Sequence, residues 1–377
     1  MLHLIKIENV LSYKKATLDF YASSKTENEF LPSSFGHRIT PVAAIFGNNA
    51  SGKTNLVEAL RLLVKNIVHS FRDQKVFYSP HATLTGEPSS FSVVVELNGN
   101  LFEYELVIQK KKVLKEQLRV KGPKRRYRRV FLRESRTIKI GSQYTKDYPL
   151  KGKNLPEFCT AISLLYHSGF SPINDFYRYF EKVFIYSPER PPRFFFWDHT
   201  LKSIKEGPRE QKAFILKMLE VADVGIKQFS ILKPAEKPYW GVEFIHEIEG
   251  QKVKFRHDQE SEGTIYLFLL SLYLYTSLRT GSPVILDQIE GYIHPWTWEY
   301  IVNLFKNPEN NASRAQLIFT THCPTVMDVL EKEEVWLVKK AEGVSEIYSA
   351  KDFKGLSPTT DLKAFYLSGK LGAVPGC

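Results

Sequence analysis

Residues 41–60 read PVAAIFGNNASGKTNLVEAL, and this stretch decides the fold. Its first part, residues 41–46, is a short apolar run of the kind that forms a strand buried on both faces. After it, Thr54–Val68 carries Leu56, Leu60, Leu63 and Ile67 on one helical stripe. Between strand and helix, Gly47, Asn48, Asn49, Ala50, Ser51, Gly52, Lys53 and Thr54 fit G-x-x-x-x-G-K-[ST] in the setting that pattern requires. The glycines let the backbone turn tightly enough for successive N–H groups to face phosphate oxygens, and the helix start adds its positive dipole end. Lys53 is expected to reach the β- and γ-phosphates and Thr54 to ligate Mg²⁺. The pattern therefore implies binding of ATP with Mg²⁺.

A second acidic position is needed for that metal. The run VILD at 284–287 ends in Asp287, which is expected to hold the Mg²⁺ shell. Gln288 follows, where many ATPases with this pair of motifs place Glu as general base. An amide can orient a water but cannot take its proton near neutral pH. Binding is expected to survive and turnover to be slow or blocked, so Gln288→Glu should raise it. Two readings stand: a substitution made to hold ATP in place, which we favour as the minimal change that stops hydrolysis, or a natural slow hydrolase or switch.

The 377-residue composition, 43% hydrophobic and 25% charged, excludes disorder for the bulk of the chain. Cys159, Cys323 and Cys377 are too few for a disulfide framework and lack metal-like spacing, which points to a reducing compartment. The longest mostly apolar run, Ile265–Leu278, is shorter than the roughly 20 residues a membrane span needs. The opening MLHLIKIENV carries Lys6 and Glu8 inside its apolar stretch, unlike a signal peptide. A cytoplasmic protein without a membrane partner is expected.

Further from the phosphate loop, 4–8 and 16–20 read as strands and 21–40 as loop. The stretch 91–108 reads as a hairpin turning at 98–100, continued as a meander with a turn at Gly122-Pro123. Helical pattern spans 155–183, broken at Ser171-Pro172, and a loop follows at Pro188, Pro191 and Pro192. Next come a helix at 209–222, a hairpin at 240–256 turning at Glu249-Gly250, a helix at 264–279, a strand at 283–287, a helix at 296–306 and a strand at 316–320. This predicts one α/β domain over 1–377. It has a β-rich lobe at 70–150, a helical insertion at 150–185 and the remaining core motifs at 257–328.

The wording around the motifs is more specific than the patterns. GNNASGKTNLVEAL resembles the phosphate loop of the structural-maintenance and RecF branch of ABC-type ATPases. HDQESEGTIYLF is similar to their signature segment, with Ser261 and Gly263 in the Ser-x-Gly core, and ILDQIEGYIHP to their Walker B and D-loop form. FTTHCPTVMD resembles their switch segment with His322 as the switch, and FYLSGKLGAVP their tail. The resemblance is strong at 41–60 and 257–328 and weak over 70–240. It implies a P-loop ABC-type ATPase head without a long coiled coil. It also implies that Ser261 and Gly263 serve the γ-phosphate in a partner protomer, so that ATP joins a homodimer or larger homo-oligomer. Gln288 and His322 take the catalytic positions, Glu290 and His294 shape the D-loop, and Glu290 is an alternative base. The group includes ATPase subunits of two-gene phage-defence systems of the PARIS and Rlo types and the ATPase half of OLD nucleases. A phage-defence sensor acting on a separate nuclease or toxin is the leading expectation. A RecF-like DNA-repair ATPase is the alternative, and a transporter subunit is disfavoured.

Charge is uneven. Residues 110–139 hold fourteen Lys and Arg against two acids, Glu116 and Glu134, in a chain of net +11. A solvated hairpin, a nucleic-acid contact with stacking on Tyr127, and a dock for an acidic protein all remain open. The aromatic stretch Phe194-Phe195-Phe196-Trp197 is expected in the core or an oligomer contact.

Overall fold

Two kinds of strand sequence give two kinds of sheet. A computed structural model of the chain describes residues 1–22, 30–187, 194–222, 225–233, 240–357 and 360–373. In chain order the first elements are β1 (Leu2–Val10), β2 (Tyr13–Asp19), the two-residue pair β3 (Leu31–Pro32) and β4 (Arg38–Ile39), β5 (Val42–Gly47) and α1 (Lys53–Val68). The meander follows as β6 (Ser89–Leu97), β7 (Asn100–Gln109), β8 (Lys112–Lys121), β9 (Arg128–Glu134) and β10 (Thr137–Ile140). Next are α2 (Ala161–His167), α3 (Asn174–Glu181), β11 (Phe184–Tyr186), α4 (Phe194–Glu206), α5 (Arg209–Val221), β12 (Ile226–Leu232), β13 (Gly241–Ile248) and β14 (Gln251–Arg256). The chain continues with α6 (Glu262–Thr280), β15 (Val284–Asp287), α7 (Pro295–Lys306), β16 (Leu317–Thr320), β17 (Val335–Ala341), β18 (Val344–Ser349) and α8 (Leu362–Leu367).

The alternating strands form a seven-stranded antiparallel sheet in the order β10-β9-β8-β7-β6-β1-β2. Its hairpin turns carry the residues that left-handed backbone favours: Asn98 and Gly99 at φ 50° and 71° join β6 to β7. The continuously apolar strands form a second sheet, β11-β15-β16-β5-β17-β18, parallel except for β18. This sheet is buried on both faces. Ala43 and Ile45 face the core shared with α1, α2, α3 and the antiparallel sheet, while Val42, Ala44 and Phe46 face the core under α5, α6 and α7. That is why these strands read as unbroken apolar runs.

Most expected elements are present. The region 21–40, read as loop, holds the small pair β3–β4. Phe184–Tyr186, at the end of the segment read as a helical insertion, is a strand of the parallel sheet paired with β15. The sequence reading passed over β12, β17 and β18. Trp197 is half-buried against the core, its indole N–H donating to the Trp240 carbonyl at 2.8 Å. The side chains of Phe194, Phe195 and Phe196, the prolines at 188, 191 and 192, and Cys377 lie outside the described residues.

Candidate active site

The C-terminal ends of β5, β15 and β16 converge, and the site is built there. Gly47 closes β5 where a Cβ would lie 2.2 Å from the Val338 carbonyl oxygen, so only glycine fits. Ala50 at φ 59° and Gly52 at φ 118° turn the loop. A Cβ on Gly52 would meet Ser345 Oγ at 2.2 Å. The loop is pinned from outside: Tyr13 donates to the Gly52 carbonyl at 2.9 Å and Ser345 to the Ser51 carbonyl at 2.6 Å. Helix α1 begins at once, with no side-chain cap and no acid in its first turn. Its first N–H groups therefore have no partner within the helix and are free for an anion. Lys53 is buried and donates to the Gly47 and Asn48 carbonyls at 2.8 and 2.9 Å. Burial lowers its pKa to about 8, against the opposing pull of Glu290 and Asp287. Ser51 Oγ is buried without a partner among the described residues, an open polar atom inside the cradle. Asn48, Asn49 and Thr54 stand at the rim, half-buried or exposed.

Asp287 ends β15 and is buried. One carboxylate oxygen accepts from Thr320 Oγ1 at 2.6 Å, the other from Ser187 Oγ at 3.1 Å. Those hydroxyls come from β16 and from the residue after β11, the two strands flanking β15. Gln288 turns into the left-handed region at φ 47°, a costly backbone for a non-glycine residue, and its N–H donates to Thr320 Oγ1 at 3.0 Å. Its side-chain amide lies 3.4 Å from His322 Nε2. His322 follows β16, and its backbone N–H donates to Glu290 Oε1 at 2.6 Å. The His322 imidazole is held below its ordinary pKa by partial burial and then by the charge of Lys53, with Glu290 and Asp287 pulling the other way. Lys53, Asp287, Gln288, Glu290 and His322 thus share one pocket of charge. Sequence reasoning missed Ser187 and Thr320.

Ser261 and Gly263 stand at the start of α6. Ser261 is exposed and caps α6, its Oγ accepting from the Thr264 N–H at 3.1 Å. Gly263 packs where a Cβ would sit 2.7 Å from the Tyr292 carbonyl oxygen, so it lets the α6 start close against the segment after Glu290. Tyr292 stacks on Tyr266 at 5.1 Å, and Trp296 nearby is 78% exposed. Among the described residues no hydrogen bond links Ser261 or Gly263 to the phosphate loop. His294 is a local cap, accepting from the Trp296 N–H.

The basic segment divides in two. Arg133 is fully buried, donating to the carbonyls of Ser135, Pro156 and Cys159, each at 2.6 Å, beside the buried Glu116. Lys112, Lys115, Arg119 and Lys139 pair with Glu157, Glu105, Glu103 and Glu134. Lys121, Arg125, Arg126 and Arg128 instead line a cavity of about 260 Å³. Tyr127, expected as a stacking platform, is half-buried with Lys121 at 4.7 Å and Arg119 at 5.3 Å from its ring.

The residues fit a magnesium nucleotide. The uncapped helix start, the orphaned Ser51 hydroxyl and the glycines that a Cβ would obstruct form a phosphate cradle. Thr54 and Asp287 would supply the hard oxygen ligands that Mg²⁺ takes. Bound there, Mg²⁺ would neutralise charge developing on the phosphate oxygens.

A family profile described as "AAA domain, putative AbiEii toxin, Type IV TA system" matches residues 42–328. No curated protein matches the chain. Among solved structures, an SMC head domain from Thermotoga maritima is 13% identical, covering 92% of this chain and 98% of that one at a TM-score of 0.44. An Smc head bound to the C-winged helix domain of ScpA is 15% identical over 92% of this chain and 97% of that one, at 0.49. The Pyrococcus furiosus Smc head bound to the C-terminal domain of ScpA is 13% identical over 98% and 99%, at 0.47. These likenesses carry no argument about function. Among the described residues no helix is long and apolar enough to cross a membrane.

Proposed function

Because the chain belongs to this family of AAA domains and is an ABC-type ATPase, we propose that it is an ATP-driven molecular switch acting in the cytoplasm. Two copies sandwich ATP between the phosphate loop of one and the Ser261–Gly263 helix start of the other. The observation that carries this is that, among the described residues, no hydrogen bond joins the two halves. Lys53, Asp287, Gln288 and His322 meet at the sheet ends, while Ser261, exposed at the start of α6, makes no hydrogen bond to that loop among the described residues. Trp296, shortly after the Tyr292 that Gly263 packs against, is exposed and supplies apolar surface for a second copy to cover. The toxin–antitoxin wording of the family supports the role expected from the motifs, a sensor ATPase of anti-phage defence that restrains or releases a separate nuclease or toxin.

ATP makes contacts that exist only in the associated state, so it shifts protomers towards dimers or larger rings by mass action. Size exclusion with light scattering tests this. The mass should rise with Mg-ATP, and Ser261→Arg should remove the rise while leaving nucleotide binding to the protomer intact. Association independent of ATP would sink the switch.

A second reading rests on the basic corner. Arg125, Arg126 and Arg128 form no ion pair among the described residues and line one cavity with Lys121. That corner suits a nucleic-acid backbone, as a DNA-repair ATPase would need. With Lys121 and Arg119 already over the Tyr127 ring, phosphates rather than bases are what it would hold.

A further inference from the structure

We propose that Glu290 is the water-activating base of this ATPase, and that Gln288 orients the water without deprotonating it. The inference rests on the ATPase reading and concerns which side chain performs its proton step.

Hydrogen-bond accounting at the sheet ends leaves one carboxylate. Both carboxylate oxygens of Asp287 are held, by Thr320 and Ser187. Gln288 is an amide and has no basic lone pair to offer near neutral pH. Glu290 differs from both. Its Oε1 accepts from the His322 N–H, while its Oε2 is buried with no partner among the described residues. A buried carboxylate oxygen without a donor is costly, so it calls for a partner such as a bound water.

Its position suits that water. The left-handed turn at Gln288 folds the chain back, and Glu290 comes under the switch histidine rather than away from it. Glu290 also acts on Lys53 more strongly than Asp287 does, both carboxylates opposing the effect of burial, and Lys53 is the residue expected at the γ-phosphate. Gln288, 3.4 Å from His322 Nε2, adds an amide that can both donate to and accept from the same water. The alternative role for Glu290 is to pin the loop through His322. That role uses only Oε1 and leaves Oε2 unexplained.

The step balances within the site. The water oxygen bonds to the γ-phosphorus as Glu290 Oε2 takes one of its protons. The bond from the γ-phosphorus to the bridging oxygen breaks, and its electron pair leaves with ADP. Glu290 then passes the proton to the released phosphate or to solvent.

The test combines steady-state phosphate release with calorimetric titration of a non-hydrolysable ATP analogue, on the full chain. Glu290→Gln keeps an acceptor for the His322 N–H and removes only the base. Turnover should fall by ~10²–10⁴-fold, the usual share of general-base catalysis. Analogue affinity should hold or rise, because a negative charge beside the phosphates is gone. Gln288→Glu should raise turnover and make it independent of the second carboxylate. In that background Glu290→Gln should cost less than about threefold, the non-additivity expected of two groups serving one step. Turnover of Glu290→Gln equal to that of the parent would overturn the proposal. So would a loss of turnover matched by an equal loss of analogue affinity, which marks a pin and not a base. A parent that fails to bind the analogue would instead take down the ATPase reading itself.

Discussion

Glu116 and Glu290 each act on a buried cation, Arg133 in the antiparallel sheet and Lys53 at the ends of the parallel strands. Glu116 has every acceptor filled: Oε1 takes the Tyr104 hydroxyl at 3.0 Å and the Ile162 N–H at 2.9 Å, and Oε2 takes the Ala161 N–H and faces Arg133 at 3.8 Å. It caps α2 from inside the core. Burial raises its pKa, and burial likewise lowers that of Arg133, each countered by the other's charge. Glu290 keeps one oxygen unfilled, and the cation beside it, Lys53, sits on two backbone carbonyls in a loop shaped for an anion. A saturated charge belongs to folding, and an unsaturated one is held for a ligand. Exposure alone does not separate them, since Arg133 and Lys53 are both buried.

Arg133→Met attacks the saturated side. It leaves Glu116 charged and without its cation, at a cost of about 3–5 kcal/mol in stability. Chemical denaturation should show this loss, while the fraction that stays folded binds the ATP analogue with parent affinity. A loss of affinity in the folded fraction would mean that the two regions are coupled.

Gly263→Ala probes the junction between the site and the proposed partner surface. The added Cβ must displace the Tyr292 carbonyl, an overpacking worth about 1–3 kcal/mol. Sedimentation should show weaker ATP-dependent association, with protomer binding of nucleotide little changed.

Protonation of Lys53 sharpens the unsaturated side. Its pKa near 8 in the free protein should rise when phosphates bind, so binding takes up a proton once the pH exceeds 8. Below pH 8 the affinity should be flat with respect to this group. Above it, affinity should fall by up to about tenfold per pH unit. Titrations of the analogue at pH 7, 8 and 9 decide this, and an affinity that rises with pH contradicts it.

The smallest effect is expected at the basic corner. If it holds a nucleic-acid backbone, replacing Arg125, Arg126 and Arg128 with Ser should reduce the slope of log affinity against log salt by about two to three. An unchanged slope on a DNA oligomer would leave that corner as solvated surface.

The phosphate loop, Asp287 and His322 could be read from the sequence because the motif ties residue type to backbone shape within a few positions. Ser187 and Thr320 could not. They reach Asp287 only because β11 and β16 flank β15, and that strand order is not written in any local pattern. Strand β11 has just three residues before Ser187-Pro188, too short to show a period. Strands β17 and β18 did carry a signal, the apolar run Val335–Val338 and the turn at Glu342-Gly343, both at positive φ. Arg133 and Glu116 looked like two more charges in a basic surface segment. Only the packing of α2 against β8 and β9 turns them inward. Glu290 was visible as a letter, but its unfilled oxygen depends on where the turn at Gln288 returns the chain.

The most direct test of the difference between the two buried cations is Lys53→Ala, followed by melting temperature and by calorimetric titration of the ATP analogue. A site cation should cost binding and not folding. Affinity should drop roughly ten- to hundredfold, the worth of one set of charge-assisted contacts. The melting temperature without nucleotide should stay within about 2 °C of the parent or rise, since a buried charge held for a ligand does not stabilise the fold. Unchanged affinity together with a large fall in melting temperature would contradict this, and would make Lys53 a structural cation like Arg133.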